Sequence, residues 1–128
     1  MSGSGRVPGP TETFARVLIY ESGGELSLHP KHVEAVVKSL KTSTIREGVL
    51  LFPRKCRLLL RFSSGSPSLE IVVKDSKIKR VRDLSPKEIR ADGFSHKDAL
   101  LAELRHYYPT ITQDSVITVV NFKTQLPQ

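Results

Sequence analysis

The stretch Val116-Ile117-Thr118-Val119-Val120-Asn121-Phe122 constrains the fold more than any other part of the chain. Val, Ile, Thr and Phe favour extended backbone, because branched and ring side chains pack well on a pleated surface. Side chains alternate across a strand. Val116, Thr118, Val120 and Phe122 therefore share one face, and Ile117 and Val119 the other. Both faces are apolar, so the strand must be covered on both sides, which predicts a central place in a sheet. The rest of the chain has to supply strands along both of its edges and layers on both of its faces.

Candidates for those neighbours recur upstream. Cys56 to Phe62 alternates, with Cys56, Leu58, Leu60 and Phe62 inward and Arg57 and Arg61 outward. Leu69 to Lys74 alternates again, and the turn residues Ser63 to Pro67 between the two predict a hairpin. Lys77 to Arg82 reads as a further strand whose apolar residues, Ile78 and Val81, have the odd spacing of a bulge or an exposed edge. Phe14 to Tyr20 is the expected first strand, followed by a Ser22-Gly23-Gly24 turn, and Val49 to Phe52 is a short apolar piece.

Three segments carry helical signals. Pro30 to Leu40 places Val33, Val36, Val37 and Leu40 at the i, i+3, i+4, i+7 spacing. Ser85-Pro86-Lys87-Glu88 has the capping-box pattern and opens a helix to about Ala91, which Gly93 can end with a positive φ. His96 to Tyr107 carries Leu100, Leu101, Leu104, Tyr107 and Tyr108 on one stripe, with Ser95 and Asp98 as a weaker box at its start. Five or six short strands with two or three flanking helices make an α+β domain, expected as a small mixed β-barrel. Residues 14–124 form that one domain, 1–13 a Gly-, Ser- and Pro-rich flexible leader and 125–128 a tail.

Composition narrows the function. Lys and Arg total 20 against 13 acidic residues, a net charge of +7 that favours a polyanionic partner, nucleic acid first among them. Cys56 is the only cysteine, so an internal disulfide and a multi-Cys metal site are excluded, and it reads as a small core residue. His29, His32, His96 and His106 have no ligand spacing with a third donor, so no metal and no cofactor is expected. No apolar run approaches the ~20 residues of a membrane span. No apolar segment follows the first charge as a signal peptide requires, which predicts a cytoplasmic protein.

The densest polar run is Lys41-Thr42-Ser43-Thr44-Ile45-Arg46-Glu47-Gly48, where a helix gives way to a strand. Strict alternation would set Thr42, Thr44 and Arg46 against Lys41, Ser43 and Ile45, unless the turn swings Lys41 round to Thr44. A helix running into Lys-Thr-Ser-Thr-Ile-Arg resembles the signature of the ASCH domain, a small β-barrel family related to the PUA RNA-binding domains. Asp92-Gly93-Phe94-Ser95 before a helix, and a closing strand preceded by Tyr108-Pro109, are similar to two further features of that family, in the same order.

The resemblance implies a PUA-like barrel with a cleft lined by Lys41, Thr44 and Arg46 that binds RNA or a nucleoside, with DNA left open. The chain is also similar to small ASCH amidohydrolases that remove the acetyl group from N4-acetylcytidine using a Lys, a Thr and a Glu. Lys41 and Thr44 take the first two places, as base and nucleophile, and Asp92 the third, as the proton-shuttling acid. Asp is one methylene shorter than Glu, and Glu47 and Glu88 are rival acids. A third reading is a protein-interaction module, since some ASCH domains sit in larger coactivators.

Outside the cleft, Lys74, Lys77, Lys79, Arg80 and Arg82, continued by Lys87 and Arg90, are expected to track phosphates. Arg54, Lys55, Arg57 and Arg61 form a second basic patch. Phe94 is the first choice to stack a base, ahead of Tyr107, Tyr108 and Phe52. Lys41→Ala and Thr44→Ala are expected to change stability by no more than about 1 kcal/mol, as surface changes do.

Overall fold

The computed structural model describes residues 16–62 and 68–125. The expected leader, the first two residues of the predicted first strand, the Ser63 to Pro67 turn and residues 126–128 lie outside them. In chain order the elements are β1 (Val17–Ile19), β2 (Gly24–Leu28), a 3-10 turn (Pro30–His32) leading into α1 (Val33–Val37), β3 (Ser43–Glu47), β4 (Val49–Leu51), β5 (Arg57–Phe62) and β6 (Leu69–Arg80). A second 3-10 turn (Val81–Asp83), α2 (Pro86–Ala91), α3 (Lys97–Tyr107) and β7 (Val116–Gln125) follow.

Five strands form one sheet in the order β2-β5-β6-β7-β3, and β1 pairs with β4 in a second, two-stranded sheet. β7 runs antiparallel to both β6 and β3, so the two-faced apolar strand holds an inner position. Its faces feed different cores. Val120 and Phe122 join Leu58, Leu60 and Ile71 in one cluster. Ile117 and Val119 join Ile45 and the α3 residues Leu100, Leu101 and Leu104 in another.

The predicted hairpin is present, with β5 antiparallel to β6. The separate strand expected at Lys77 to Arg82 is not. Lys77 to Arg80 continue β6 without a break, and Val81 to Asp83 turn away. The pairing with β7 shifts register between Val73 and Asp75. Past Val73, β5 supplies no further partner among the described residues, so this half of β6 has one open edge, and Ile78 is half exposed. The odd apolar spacing records the open edge at Ile78 and the end of the strand before Val81; the bulge lies upstream of it.

Two other expectations shift, one by three residues and one by a single residue. The helix predicted to Leu40 ends at Val37, because Ser39 takes φ 58° and the amides of Leu40 and Lys41 both fold back onto the Ala35 carbonyl. α3 is capped by His96 rather than Ser95, with the imidazole Nδ1 accepting from the Ala99 amide at 3.3 Å. An imidazole nitrogen serves as well as a hydroxyl oxygen wherever a lone pair is all the cap requires.

The two sheets meet at a corner. Gly48 separates β3 from β4 with φ +91°, and a Cβ there would lie 2.8 Å from the Arg16 carbonyl oxygen, so glycine is required. The buried Thr118 hydroxyl donates to the Gly48 carbonyl at 2.7 Å and accepts from the Leu50 amide at 2.9 Å, pinning β4 to β7. Strand pairing among the described residues does not close a barrel: β2 and β3 are the outer strands of the larger sheet. Arg46 of β3 reaches across and donates to the Ser27 carbonyl of β2 at 2.5 Å. The architecture is mixed α+β with helices packed on twisted sheets.

Candidate functional site

The site is built where α2 stops and β3 starts. Ser85 and Glu88 form the predicted capping box, and Asp92 is the helix C-cap. Gly93, at φ +99°, then reverses the chain. Thr42 donates its amide to Ala91 at 2.8 Å, and its carbonyl accepts from Phe122 at 3.0 Å, so the segment after α1 is fastened to both α2 and β7. Ser39 takes a left-handed φ of 58° two residues before Lys41, and Lys41 faces Asp92. Lys41 Nζ donates to the Asp92 backbone oxygen at 2.8 Å and forms an ion pair with Asp92 Oδ1. On β3, Thr44 and Arg46 share a face as alternation requires, and Arg46 Nε donates to Thr44 Oγ1 at 3.0 Å.

These groups surround one cleft of about 700 Å³. Lys41, Thr44, Arg46 and Asp92 line it together with Ser27 to Pro30, His32, Arg61 and Phe62. Phe94 and the α3 side, Leu100, Glu103, Leu104, Tyr107 and Tyr108, complete the wall. It lies between the two cores, drawing apolar residues from both.

Lys41, Thr44 and Asp92 are only 3%, 3% and 5% exposed. That burial overturns the expectation that Lys41→Ala and Thr44→Ala behave as surface changes. Desolvation disfavours charge, so burial pushes the Lys41 ammonium below its ordinary value, with Asp92 working against it. Burial raises the Asp92 carboxyl to about 6, although the Lys41 charge pulls it down. The pair therefore sits closer to neutrality than either group would in water. Lys41 and Asp92 line the cleft with Thr44, but Thr44 exchanges its side-chain hydrogen bond with Arg46 rather than with Lys41.

The rival acids are elsewhere. Glu88 accepts from the Ser85 amide and from Lys79 Nζ, both at 2.8 Å, and neither it nor Glu47 lines the cleft. A carboxylate missed in the sequence does line it: Glu103, with His32 Nε2 3.0 Å from its Oε2. Glu103 falls three residues after Leu100 and four before Tyr107. A carboxylate on the apolar stripe of α3 was the available signal.

The basic run divides. Lys79 is paired with Glu88 and Arg82 with Asp114, and Arg80 donates to the Asp114 carbonyl at 2.5 Å. Lys74, Lys77, Lys87 and Arg90 are exposed, and Lys74 and Lys77 have no ion pair among the described residues. Of the second patch, Arg61 reaches the cleft and pairs with Glu25 at 2.9 Å. Phe94, Tyr107 and Tyr108 line the cleft, whereas Phe52 stacks on Tyr20 with ring centres 4.8 Å apart. Cys56 is fully buried, as expected of a core residue. Among the described residues no helix is long and apolar enough to cross a membrane.

This arrangement of a two-sheet α+β core around a Lys- and Thr-lined cleft has the fold of ASCH domains. It superposes on the ASCH domain of Lactobacillus crispatus JV V101 with a TM-score of 0.65 at 12% identity, over 80% of this chain and 79% of that one. The ASCH protein of Zymomonas mobilis gives 0.59 at 19% identity, over 77% of this chain and 65% of that one. The hypothetical protein PH0355 gives 0.60 at 14%, over 80% of this chain and 99% of that one. No family model and no curated protein matches the sequence. At these identities the likeness is one of fold.

Proposed function

We propose that the chain is an ASCH-type binding domain whose cleft accepts a nucleoside, free or as part of an RNA strand. The observation that carries this is the desolvated Lys41–Asp92 pair beside Thr44 and Arg46 in a space of about 700 Å³ with Phe94, Tyr107 and Tyr108 around it. A nucleobase needs a flat apolar surface for its ring and fixed polar groups for its edge, and this cleft supplies both. Exposed Lys74 and Lys77 on β6, with Lys87 and Arg90 on α2, then hold the phosphates of a longer strand. The two sheets read as a small PUA-like barrel with Arg46 bridging the seam between β2 and β3.

The test is titration calorimetry with free nucleosides and with short single-stranded RNA and DNA at several salt concentrations. Nucleoside affinity that is flat in salt, together with oligonucleotide affinity that falls with salt, supports the two-part reading. Oligonucleotide affinity indifferent to salt removes the phosphate-tracking part. No binding by any nucleoside removes the cleft.

A second reading is favoured by one observation: a hydroxyl, an amine with a lowered pKa and a carboxyl with a raised one line the same space. In it Lys41, when neutral, takes the Thr44 proton as the hydroxyl attacks the acetyl carbonyl of N4-acetylcytidine. Asp92, protonated, then delivers a proton to the amine as its C–N bond breaks, which leaves the acetyl group as an ester on Thr44; water, giving a proton to Asp92, cleaves that ester to acetate, and Lys41 returns the Thr44 proton. Arg46, already donating to Thr44 Oγ1, favours the developing alkoxide. Incubation with N4-acetylcytidine, followed by chromatography for cytidine, tests it. A Thr44→Val variant that releases cytidine as fast as the wild type removes Thr44 as nucleophile.

A further inference from the structure

The cleft holds a second pair of titratable side chains that neither reading above uses. His32 closes the 3-10 turn at Pro30–His32, and Glu103 stands one turn before the end of α3. Their side chains are 17% and 15% exposed, and both line the cleft. His32 Nε2 is 3.0 Å from Glu103 Oε2, while Lys31 Nζ donates to Oε1 at 2.7 Å.

This geometry sets the tautomer. Burial works to raise Glu103, but the hydrogen bonds from Lys31 and His32 outweigh it and hold the carboxyl below the usual range. An ionised carboxylate only accepts, so Nε2 carries the ring hydrogen and Nδ1 carries the lone pair. Burial pushes the imidazole below its ordinary pKa, with the Glu103 hydrogen bond opposing it and the Lys41 charge adding to it, and the net shift favours the neutral ring. Nδ1 has no hydrogen-bond partner among the described residues. The other strongly polar groups around it are committed. Lys41 and Arg46 only donate, and Asp92 is taken by Lys41. The Thr44, Tyr107 and Tyr108 hydroxyls that also line the cleft can donate or accept, and His29 Nδ1 is taken by the Lys31 amide, so His32 Nδ1 is the neutral side-chain group there that can only accept.

We propose that His32, oriented by Glu103, is a specificity-determining residue that accepts a hydrogen bond from the bound base, so that the cleft prefers a base bearing an exocyclic amine to one bearing a carbonyl in its place. The proposal rests on the nucleoside-binding reading. An amine presents N–H to Nδ1, whereas a carbonyl sets lone pair against lone pair and leaves both acceptors desolvated and unmatched. Glu103 acts as a positioning residue, holding the ring through Nε2. A purely structural role for the pair, tying the 3-10 turn to α3, predicts no such preference.

Cytidine with uridine, and adenosine with inosine, are pairs that differ in this exchange of amine for carbonyl. Calorimetry on the wild type is expected to show the amine member of at least one pair binding about tenfold more tightly, the size of one mismatched buried hydrogen bond. His32→Ala is expected to bring that ratio close to one. Should His32→Ala fail to fold, ¹⁵N resonances of the wild-type imidazole carry the test: Nδ1 should resonate as an unprotonated nitrogen and move on addition of the preferred amine nucleoside but not of its carbonyl counterpart. Glu103→Gln is expected to mix the tautomers in that spectrum and to shrink the ratio several-fold, which a tie between elements does not predict. Equal affinity within both pairs, or an Nδ1 indifferent to the amine ligand, overturns this inference alone. Absence of binding by all four nucleosides overturns the nucleoside reading, and this inference with it.

Discussion

Two charged regions of this domain use the same residue types to opposite ends. In the cleft, Lys41 is 3% exposed and committed to one carboxylate. On the β6 edge, Lys74 and Lys77 are exposed and have no ion pair among the described residues. A desolvated ammonium is costly unless it is paired, so its position is dictated by its partner. A solvated one costs little, moves freely and interacts through water and salt. The first kind of lysine can therefore discriminate between ligands by geometry, while the second contributes only attraction that salt weakens. The polar run at Lys41 and the basic run at Lys74 look alike in composition, and burial is what separates them.

The largest expected effect follows from that contrast. Lys41→Ala leaves the Asp92 carboxyl buried without its counter-charge, and should destabilise the fold by about 3–5 kcal/mol. Urea unfolding followed by circular dichroism measures it. The double variant Lys41→Met with Asp92→Leu should recover most of the loss, because removing both charges removes the unpaired one. A Lys41→Ala midpoint within error of the wild type would show that the pair is solvated, and that the cleft lysine does not differ from those on the β6 edge.

The next effect concerns pH. The Asp92 carboxyl should titrate near 6 rather than 3.8 when followed by carbon NMR. Its folded value is raised above the unfolded one, so the stability it contributes is complete below about pH 4 and is lost as pH rises through about 6. Lys41→Met should move this titration higher still, since the ammonium is what holds it down. A midpoint near 4 in the wild type would mean that water reaches the carboxyl.

Arg46 sharpens the comparison from the side of the ligand. It joins Thr44 to the Ser27 carbonyl across the seam between β2 and β3. Arg46→Lys keeps the charge but not the planar fork that serves both acceptors. Nucleoside affinity should fall about tenfold, as expected when a charge-assisted hydrogen bond is lost, with little change in salt dependence. Calorimetry at two salt concentrations reads both quantities.

Much of the fold was legible because its signals are local. The two-faced apolar content of Val116 to Phe122 placed β7 inside the sheet, and Ser85 with Glu88 marked the start of α2. The parallel pairings of β1 with β4 and of β2 with β5 were not foreseen, because nothing within a short strand specifies a partner some thirty residues away. In the site, the family resemblance brought Lys41, Thr44 and Asp92 together, while the positive φ of Ser39 before Lys41 is a backbone feature with no side-chain pattern. His32 was weighed only as a metal ligand, and Glu103 was overlooked, for a related reason. Glu103 on the apolar stripe of α3 was a weak local signal, and the two become a pair only when the 3-10 turn packs on α3.

The smallest expected effect is at the edge. Replacing Lys74 and Lys77 with Gln should leave stability within about 0.5 kcal/mol, as for exposed residues generally. Nucleoside affinity should not change, because neither residue lines the cleft. The slope of log affinity against log salt for a single-stranded oligonucleotide should become shallower by about 0.7 for each phosphate contact removed. An unchanged slope would leave these lysines as guards of an open strand edge, which charge protects from pairing with other chains. A fall in nucleoside affinity would instead show the edge and the cleft acting as one surface, with Lys77 placed to feel a ligand proposed for the cleft.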